Sequence, residues 1–253
     1  MAPGDQDMLI NEDVLVVIPA YNEALSVAAV IHEVHLAAPR AAILVVDDAS
    51  TDTTAAVARA AGAEVVTNVF NLGVGGAMRV GFRYALAGRF RALVQVDGDG
   101  QHDANDLPRL VAALDDKPEP AVVIGARFAG EGDYSVPRMR RWAMRLLARY
   151  LSGVAHMKLT DVTSGFRAHN RAAIELFART YPADYLADTV ESLVIAVESG
   201  GVISQVPVAM RTRLSGTPSQ NARRAAMYLA RVALMLLIAV FRHRAPRPAG
   251  ESA

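Results

Sequence analysis

Through the first half of the chain, short β-rich apolar runs alternate with stretches whose apolar positions recur at helical spacing. Val14–Ile18, Ile43–Asp47, Glu64–Thr67, Ala92–Asp97 and Ala121–Ala126 read as strands. Between them Leu25–Ala38, a helix capped by Asp52 and running to Ala61, Gly73–Ala87 and Asp106–Leu114 read as helices. Strand and helix alternating at this spacing predict right-handed βαβ units. The fold class is therefore α/β, a mostly parallel, Rossmann-like sheet with helices on both faces. Pro118 and Pro120 mark a turn inside this pattern rather than a domain boundary, and no internal repeat is found.

Beyond Ala126 the pattern is less regular. Arg138–Leu151 reads as an Arg-rich amphipathic helix bearing Trp142, Met144, Leu146, Leu147 and Leu151. After a loop come Thr163–Asn170, a helix to Ala178, a helix at Thr189–Ser199 and a strand at Val202–Met210. Asn221–Arg244 reads as a long C-terminal helix containing Val232–Phe241, ten apolar residues in a row. That run is too short to span a bilayer. It packs on its own domain or on a second copy, or else lies in a membrane interface between flanking arginines. The expected division is a catalytic-size domain over 13–220 and a helix with a polar tail over 221–253.

Composition narrows the chemistry. The 253 residues carry 26 basic and 26 acidic side chains, so no bulk field points to nucleic acid. The two signs are segregated: carboxylates gather before about residue 116, and arginines gather at 138–149 and 211–247. Lys117 and Lys158 are the only lysines, and guanidinium suits bidentate phosphate binding. The absence of cysteine excludes disulfides, thiolate catalysis and Cys-ligated zinc. Met1–Asp13 is polar and acidic with no apolar core, so no secretory signal and a cytoplasmic location are expected.

The densest chemistry follows the fourth predicted strand, in Val94-Gln95-Val96-Asp97-Gly98-Asp99-Gly100-Gln101-His102-Asp103. In an extended chain, side chains two apart project to one side. Asp97, Asp99 and Gln101 would then offer hard oxygens to Mg²⁺ or Mn²⁺ and leave positions open for phosphate. An acidic surface turn is the plainer alternative. Two other predicted strand ends are distinctive: Ile18-Pro19-Ala20-Tyr21-Asn22-Glu23 and Val46-Asp47-Asp48-Ala49-Ser50-Thr51-Asp52. Ligands of open α/β sheets bind outside such carboxyl ends. Tyr21 can lie against a flat base, and Asp47 or Asp48 can accept from a base or a ribose. Asn71-Leu72-Gly73-Val74-Gly75-Gly76 opens a helix and is a candidate diphosphate contact.

Together these motifs resemble the inverting family 2 glycosyltransferases of GT-A fold, over about residues 13–220. Asp161-Val162-Thr163-Ser164-Gly165-Phe166-Arg167 is similar to the branch of polyprenyl-phosphate (dolichyl-phosphate) mannosyl or glucosyl synthases. The resemblance implies that Asp97, Asp99 and Gln101 hold a divalent cation, Mg²⁺ or Mn²⁺, that carries the diphosphate of a nucleotide sugar, GDP-mannose or UDP-glucose. It implies nucleotide-sugar contacts from Pro19, Ala20, Tyr21, Glu23, Asp48, Asn71, Gly73, Asp97 and Gly98. Gly125-Ala126-Arg127 stands for the family's Gly-Ser-Arg, keeping the arginine. Arg127, Ser164 and Arg167, with Arg213 and Ser219, would hold the phosphate of a lipid acceptor. Arg213-Leu214-Ser215-Gly216-Thr217-Pro218-Ser219 loosely matches the segment that closes over the diphosphate. Its Ser219 falls one residue late and the usual lysine is missing, and Arg211 competes with Arg213.

The implied reaction is direct displacement at the anomeric carbon, with Asp97, Asp99, Arg127 and Arg213 as its catalytic residues. A lipid phosphate is already ionised and needs no general base, only guanidinium to bring two anions together. The expected site of action is the inner face of the cytoplasmic membrane, with peripheral lipid contact, a membrane-protein partner or a homodimer as options. A hydroxyl acceptor would instead make Asp188 or Glu191 a candidate base, although both also fit a capping box. His102 reads as a packing or surface residue, with support of the metal site as the alternative. A non-catalytic nucleotide-binding module would have little use for carboxylates and acceptor arginines together. A sugar-nucleotide pyrophosphorylase would need a glycine-rich loop with Arg and Lys after the first strand, which Pro19–Glu23 is not.

Overall fold

A computed structural model describes residues 12–126, 148–149, 151–153, 159–182 and 188–211. Its strands are β1 (Val14–Ala20), β2 (Ala42–Asp47), β3 (Glu64–Thr67), β4 (Ala92–Gln95), β5 (Pro120–Ala126), β6 (Arg167–Asn170) and β7 (Val202–Pro207). They form one sheet of order β3-β2-β1-β4-β6-β5-β7. All pairings are parallel except those of β6, which runs antiparallel between β4 and β5. The helices are α1 (Val27–Ala37), α2 (Thr54–Ala60), α3 (Gly73–Ala87), α4 (Leu107–Ala112), α5 (Arg171–Thr180) and α6 (Asp188–Glu198). Short 3-10 turns flank α4 at Ala104–Asp106 and Ala113–Asp115.

Every residue of β1 is buried, because the strand is central and covered on both faces. Val14, Val16 and Ile18 join α1 and α4 in one core through Val30, Ile31, Val34, Leu107 and Leu110. On the other face α3 comes close to the sheet at Gly81, where a Cβ would lie 2.7 Å from a Val17 methyl. Nearby, Phe82, His169, Phe177 and Tyr181 form an aromatic cluster. The sheet's direction of winding reverses between β1 and β4, since β2 and β3 lie to one side and the rest to the other. That switch point is where an open α/β sheet forms a crevice at its strand ends.

The elements of the first half fall where the apolar pattern predicts them, with three corrections. Strand β4 stops at Gln95 rather than Asp97, and the chain then turns through Gly98 to Gly100. Helix α2 begins at Thr54, with Asp52 bonded to the Thr54 N–H from two residues upstream. The helix expected over Asp106–Leu114 is divided into α4 and its flanking turns. In the second half, the stretch left unassigned at Thr163–Asn170 contains β6, and the last strand ends at Pro207 rather than Met210. Met210 nevertheless forms an isolated antiparallel bridge with His102. Of the Arg-rich helix only its last residues are described, with Ala148 and Leu151 buried. The C-terminal helix lies outside the described residues.

Candidate active site

Three loops meet at the carboxyl ends of β1, β2 and β4. The first is held by Asn22, whose φ of 55° lies in the left-handed region that Asn tolerates. Its N–H donates to the Ser50 hydroxyl at 2.9 Å, and its side-chain oxygen accepts from the Thr51 N–H at 2.8 Å. The Glu23 N–H donates to Thr54 Oγ1 and the Ala24 N–H to Asp52. The β1 and β2 loops therefore form one cross-linked wall, on which Pro19 and Ala20 are buried and Tyr21 is exposed.

Ser26 ties this wall to the β4 loop. Its hydroxyl is fully buried, 2.7 Å from the Gly98 carbonyl and 3.0 Å from Glu23 Oε2. Gly98 packs against the backbone of Pro19 and the Cβ of Ala20. No local sequence signal marks Ser26, because its partner is 72 residues away.

Asp97 and Asp99 do not lie on an extended strand, so their geometry comes from turns. Gly100 takes a φ of 76°, and Asp99 Oδ1 accepts from the Gln101 N–H at 3.0 Å. The Asp97 N–H donates to Nδ1 of buried His102 at 3.2 Å, and that ring stacks on Phe166. His102 thus both packs and supports the loop. Gln95 Nε2 donates to Asp97 Oδ1 at 3.2 Å, while the buried Gln95 Oε1 has no hydrogen-bond partner among the described residues. The Asp97 side chain remains 37% exposed.

This donor set fits a hard divalent cation. It offers two carboxylates and the amide oxygen of Gln101 in one turn, and Asp97 is both steered and partly open. Among the described residues no group of three or more His, Cys, Asp or Glu is arranged to hold a metal by itself. A hard cation held by these oxygens would keep positions open for those of a ligand such as a diphosphate.

Other expected ligands are turned inwards. Asp48 is 3% exposed, and its carboxylate accepts from the N–H groups of Leu72 and Gly73 and from Asn68 Nδ2, at 2.7–3.1 Å. It is an internal cap on α3. By the same bonds, the Leu72 and Gly73 amides of the segment expected to meet a diphosphate are already occupied by an anion of the chain itself. Arg167 is turned inwards likewise. Its side chain is 1% exposed and its guanidinium donates to the carbonyls of Val162, Ser164 and Thr189 and to Ser192 Oγ. A guanidinium engaged in this way is a tie within the fold. Ser164 is also buried, with Oγ accepting from the Phe166 N–H.

Arg211 forms ion pairs with Glu33 and Asp103, each at 2.8 Å, and its N–H donates to the Gln101 carbonyl. It anchors the chain after β7 to the carboxylate loop. Burial pushes the Asp188 carboxyl up to about 6, with Arg167 opposing that shift and Asp97 adding to it. Arg127, Arg213 and Ser219 lie outside the described residues.

The chain matches the family described as "Glycosyl transferase family 2" over residues 15–177. It is 34% identical over 212 residues to an undecaprenyl-phosphate mannosyltransferase of Micrococcus luteus, covering 80% of this chain and 79% of that one. It is 32% identical over 197 residues to a polyprenol monophosphomannose synthase of Mycolicibacterium smegmatis, covering 68% and 71%. In structure it is similar to glucosyl-3-phosphoglycerate synthase of Mycobacterium tuberculosis, solved in complex with Mn²⁺, UDP and glucosyl-3-phosphoglycerate. That match has a TM-score of 0.71 at 21% identity over 94% of this chain and 84% of the other.

Proposed function

The chain belongs to glycosyl transferase family 2 as an inverting enzyme of GT-A fold, and from that premise we propose that it transfers a hexose from a nucleotide sugar to a polyprenyl phosphate at the cytoplasmic membrane surface. The observation that carries the reading is the Asp97–Gln101 turn at the sheet's switch point, where a partly open carboxylate stands one residue before Gly98, which packs on the β1 loop. The relatives named for polyprenyl phosphate support the acceptor class and favour mannose.

Asp97, Asp99 and Gln101 hold Mg²⁺ or Mn²⁺ in this reading, and the Mn²⁺ in the neighbour's complex is in keeping with it. The bound cation supplies Lewis-acid neutralisation of charge on the departing nucleoside diphosphate. Tyr21 offers its ring to the base, and the wall of Pro19, Ala20, Glu23 and Gly98 fixes the donor's orientation. Arg127, Arg213 and Ser219 are assigned to the acceptor phosphate, whose ionised oxygen attacks the anomeric carbon without a base. A hydroxyl acceptor would need a general base, and Asp188, at 8% exposure, is poorly placed to serve as one.

Among the described residues no helix is long and apolar enough to cross a membrane. The proposal is tested by incubating the chain with polyprenyl phosphate, Mn²⁺ or Mg²⁺ and radiolabelled GDP-mannose or UDP-glucose. Label entering the organic phase is the expected result and identifies the donor. Transfer only to water-soluble hydroxyl acceptors would overturn it.

A further inference from the structure

We infer that Gly165 and Arg167 are positioning residues for the Asp97 carboxylate, so that the Val162–Arg167 segment serves the metal side of the site rather than the acceptor side. The inference rests on the reading of Asp97 as a cation ligand. A Cβ placed on Gly165 would lie 2.9 Å from Asp97 Oδ2, 3.0 Å from Oδ1 and 3.1 Å from Gln95 Nε2. Both carboxylate oxygens therefore occupy the space that a side chain at 165 would fill, and the bare glycine serves as their backstop. Gln95 completes the seat by donating to Oδ1. The reverse amide orientation would set oxygen against oxygen, so Gln95 holds one orientation and directs the carboxylate.

Arg167 fixes the height of that backstop. Its guanidinium gathers the Val162 and Ser164 carbonyls on one side of Gly165 and bonds to α6 through Thr189 and Ser192. Backbone carbonyls held by one planar fork just before Gly165 leave the glycine little freedom to recede. The Phe166 carbonyl is fastened as well, accepting from the Gly125 N–H at 2.8 Å. A side chain at 165 must then displace the carboxylate, since neither the loop nor buried Gln95 can give way.

The test counts Mn²⁺ bound, from the loss of its free EPR signal, with UDP or GDP present, and follows folding by circular dichroism and Tm. Gly165→Ala is expected to weaken Mn²⁺ binding by about 10- to 100-fold, the range for residues that orient metal ligands, with the folded spectrum retained. Arg167→Lys is expected to weaken Mn²⁺ binding while leaving the acceptor KM unchanged. Gly153→Ala, where a Cβ meets nothing within 4 Å, is the neutral comparison. Asp99→Asn separates the two levels of the argument. If it binds Mn²⁺ like the wild type, the cation reading itself fails. If Asp99→Asn loses Mn²⁺ while folded Gly165→Ala keeps it, the backstop is refuted. An Arg167→Lys enzyme with normal Mn²⁺ binding and a raised acceptor KM would return Arg167 to the acceptor.

Discussion

The ends of β2 and β4 present similar sequences, Val-Asp-Asp and Val-Asp-Gly-Asp, yet their carboxylates have opposite environments. At β2, Asp48 is enclosed by two backbone amides and a side-chain amide. At β4, Asp97 has one amide donor, a glycine behind it and 37% of its side chain exposed. A carboxylate with its lone pairs filled by N–H groups stabilises the fold. One that is steered but left partly open can take a cation. The difference arises from partners distant in sequence, not from the acidic residues themselves.

The sharpest way to break the comparison is to neutralise one carboxylate of each kind. Asp99→Asn should reduce kcat/KM for transfer by on the order of 10²–10³-fold, the scale of losing one electrostatic contact to a developing charge. Its Tm should stay near that of the wild type. Steady-state kinetics at saturating Mn²⁺ with a parallel melting curve would measure both. A large fall in Tm would mean that the β4 carboxylates hold the loop together, as Asp48 does at β2.

Asp48→Ala should show the converse. Removing an anion that satisfies two amides at the start of α3 is expected to cost about 3 kcal/mol of stability. Urea unfolding would show the loss, and Mn²⁺ binding should be retained in the folded fraction. Asp48→Asn should recover part of it, because its amide oxygen can still accept. A variant with wild-type stability but a raised donor KM would make Asp48 a nucleotide ligand after all.

How far this contrast is legible in the sequence depends on the range of the interactions. Strands β1 to β5 and helix α3 follow local apolar periodicity, and their order alone indicates a parallel α/β sheet. Strand β6 does not, because Arg-Ala-His-Asn carries polar residues into the core. Arg167 is tolerated there by bonding to carbonyls, and His169 by packing on Phe82 and Phe177. The carboxylate motif was visible, but the extended geometry assumed for it was not correct, since Gly100 turns the chain. Ser26, Gln95 and Gly165 carry no local signal for one reason: each acts on the site through a contact that exists only after folding. The inward rotation of Asp48 is of the same kind.

A third carboxylate tests the contrast by pH. Asp188 is buried, and its pKa is raised from 3.8 to about 6, so the folded state binds this proton more tightly than the unfolded one. Its ionisation therefore costs stability above about pH 6, and that cost is relieved as pH falls towards 4. Buried His169 has the opposite linkage: burial, then the neighbouring Arg167, lowers its pKa from 6.5 to about 3. The unfolded chain takes up that proton first, so stability is lost as pH falls below 6.5. Between about pH 6 and 4 the two contributions oppose. The stability advantage of Asp188→Asn over wild type should shrink by about 1.4 kcal/mol per pH unit across that window. Urea midpoints at several pH values would show the slope. A pH-independent difference would mean that Asp188 titrates alike in both states.

The smallest effect is expected at the surface, where Arg211 bridges Glu33 and Asp103 with all three side chains partly exposed. Water screens such pairs, so Arg211→Gln should cost less than about 1 kcal/mol, and added salt should narrow the gap. The loop it anchors keeps two backbone links, from Arg211 N–H to the Gln101 carbonyl and between His102 and Met210. Those links do not depend on the guanidinium, so Mn²⁺ binding should be unchanged in Arg211→Gln. Urea unfolding at low and high salt, with Mn²⁺ titration alongside, measures both quantities. If Mn²⁺ binding fell with the ion pairs, the open carboxylate would be governed by surface charge as well as by its buried seat. The contrast between β2 and β4 would then no longer be one of burial alone.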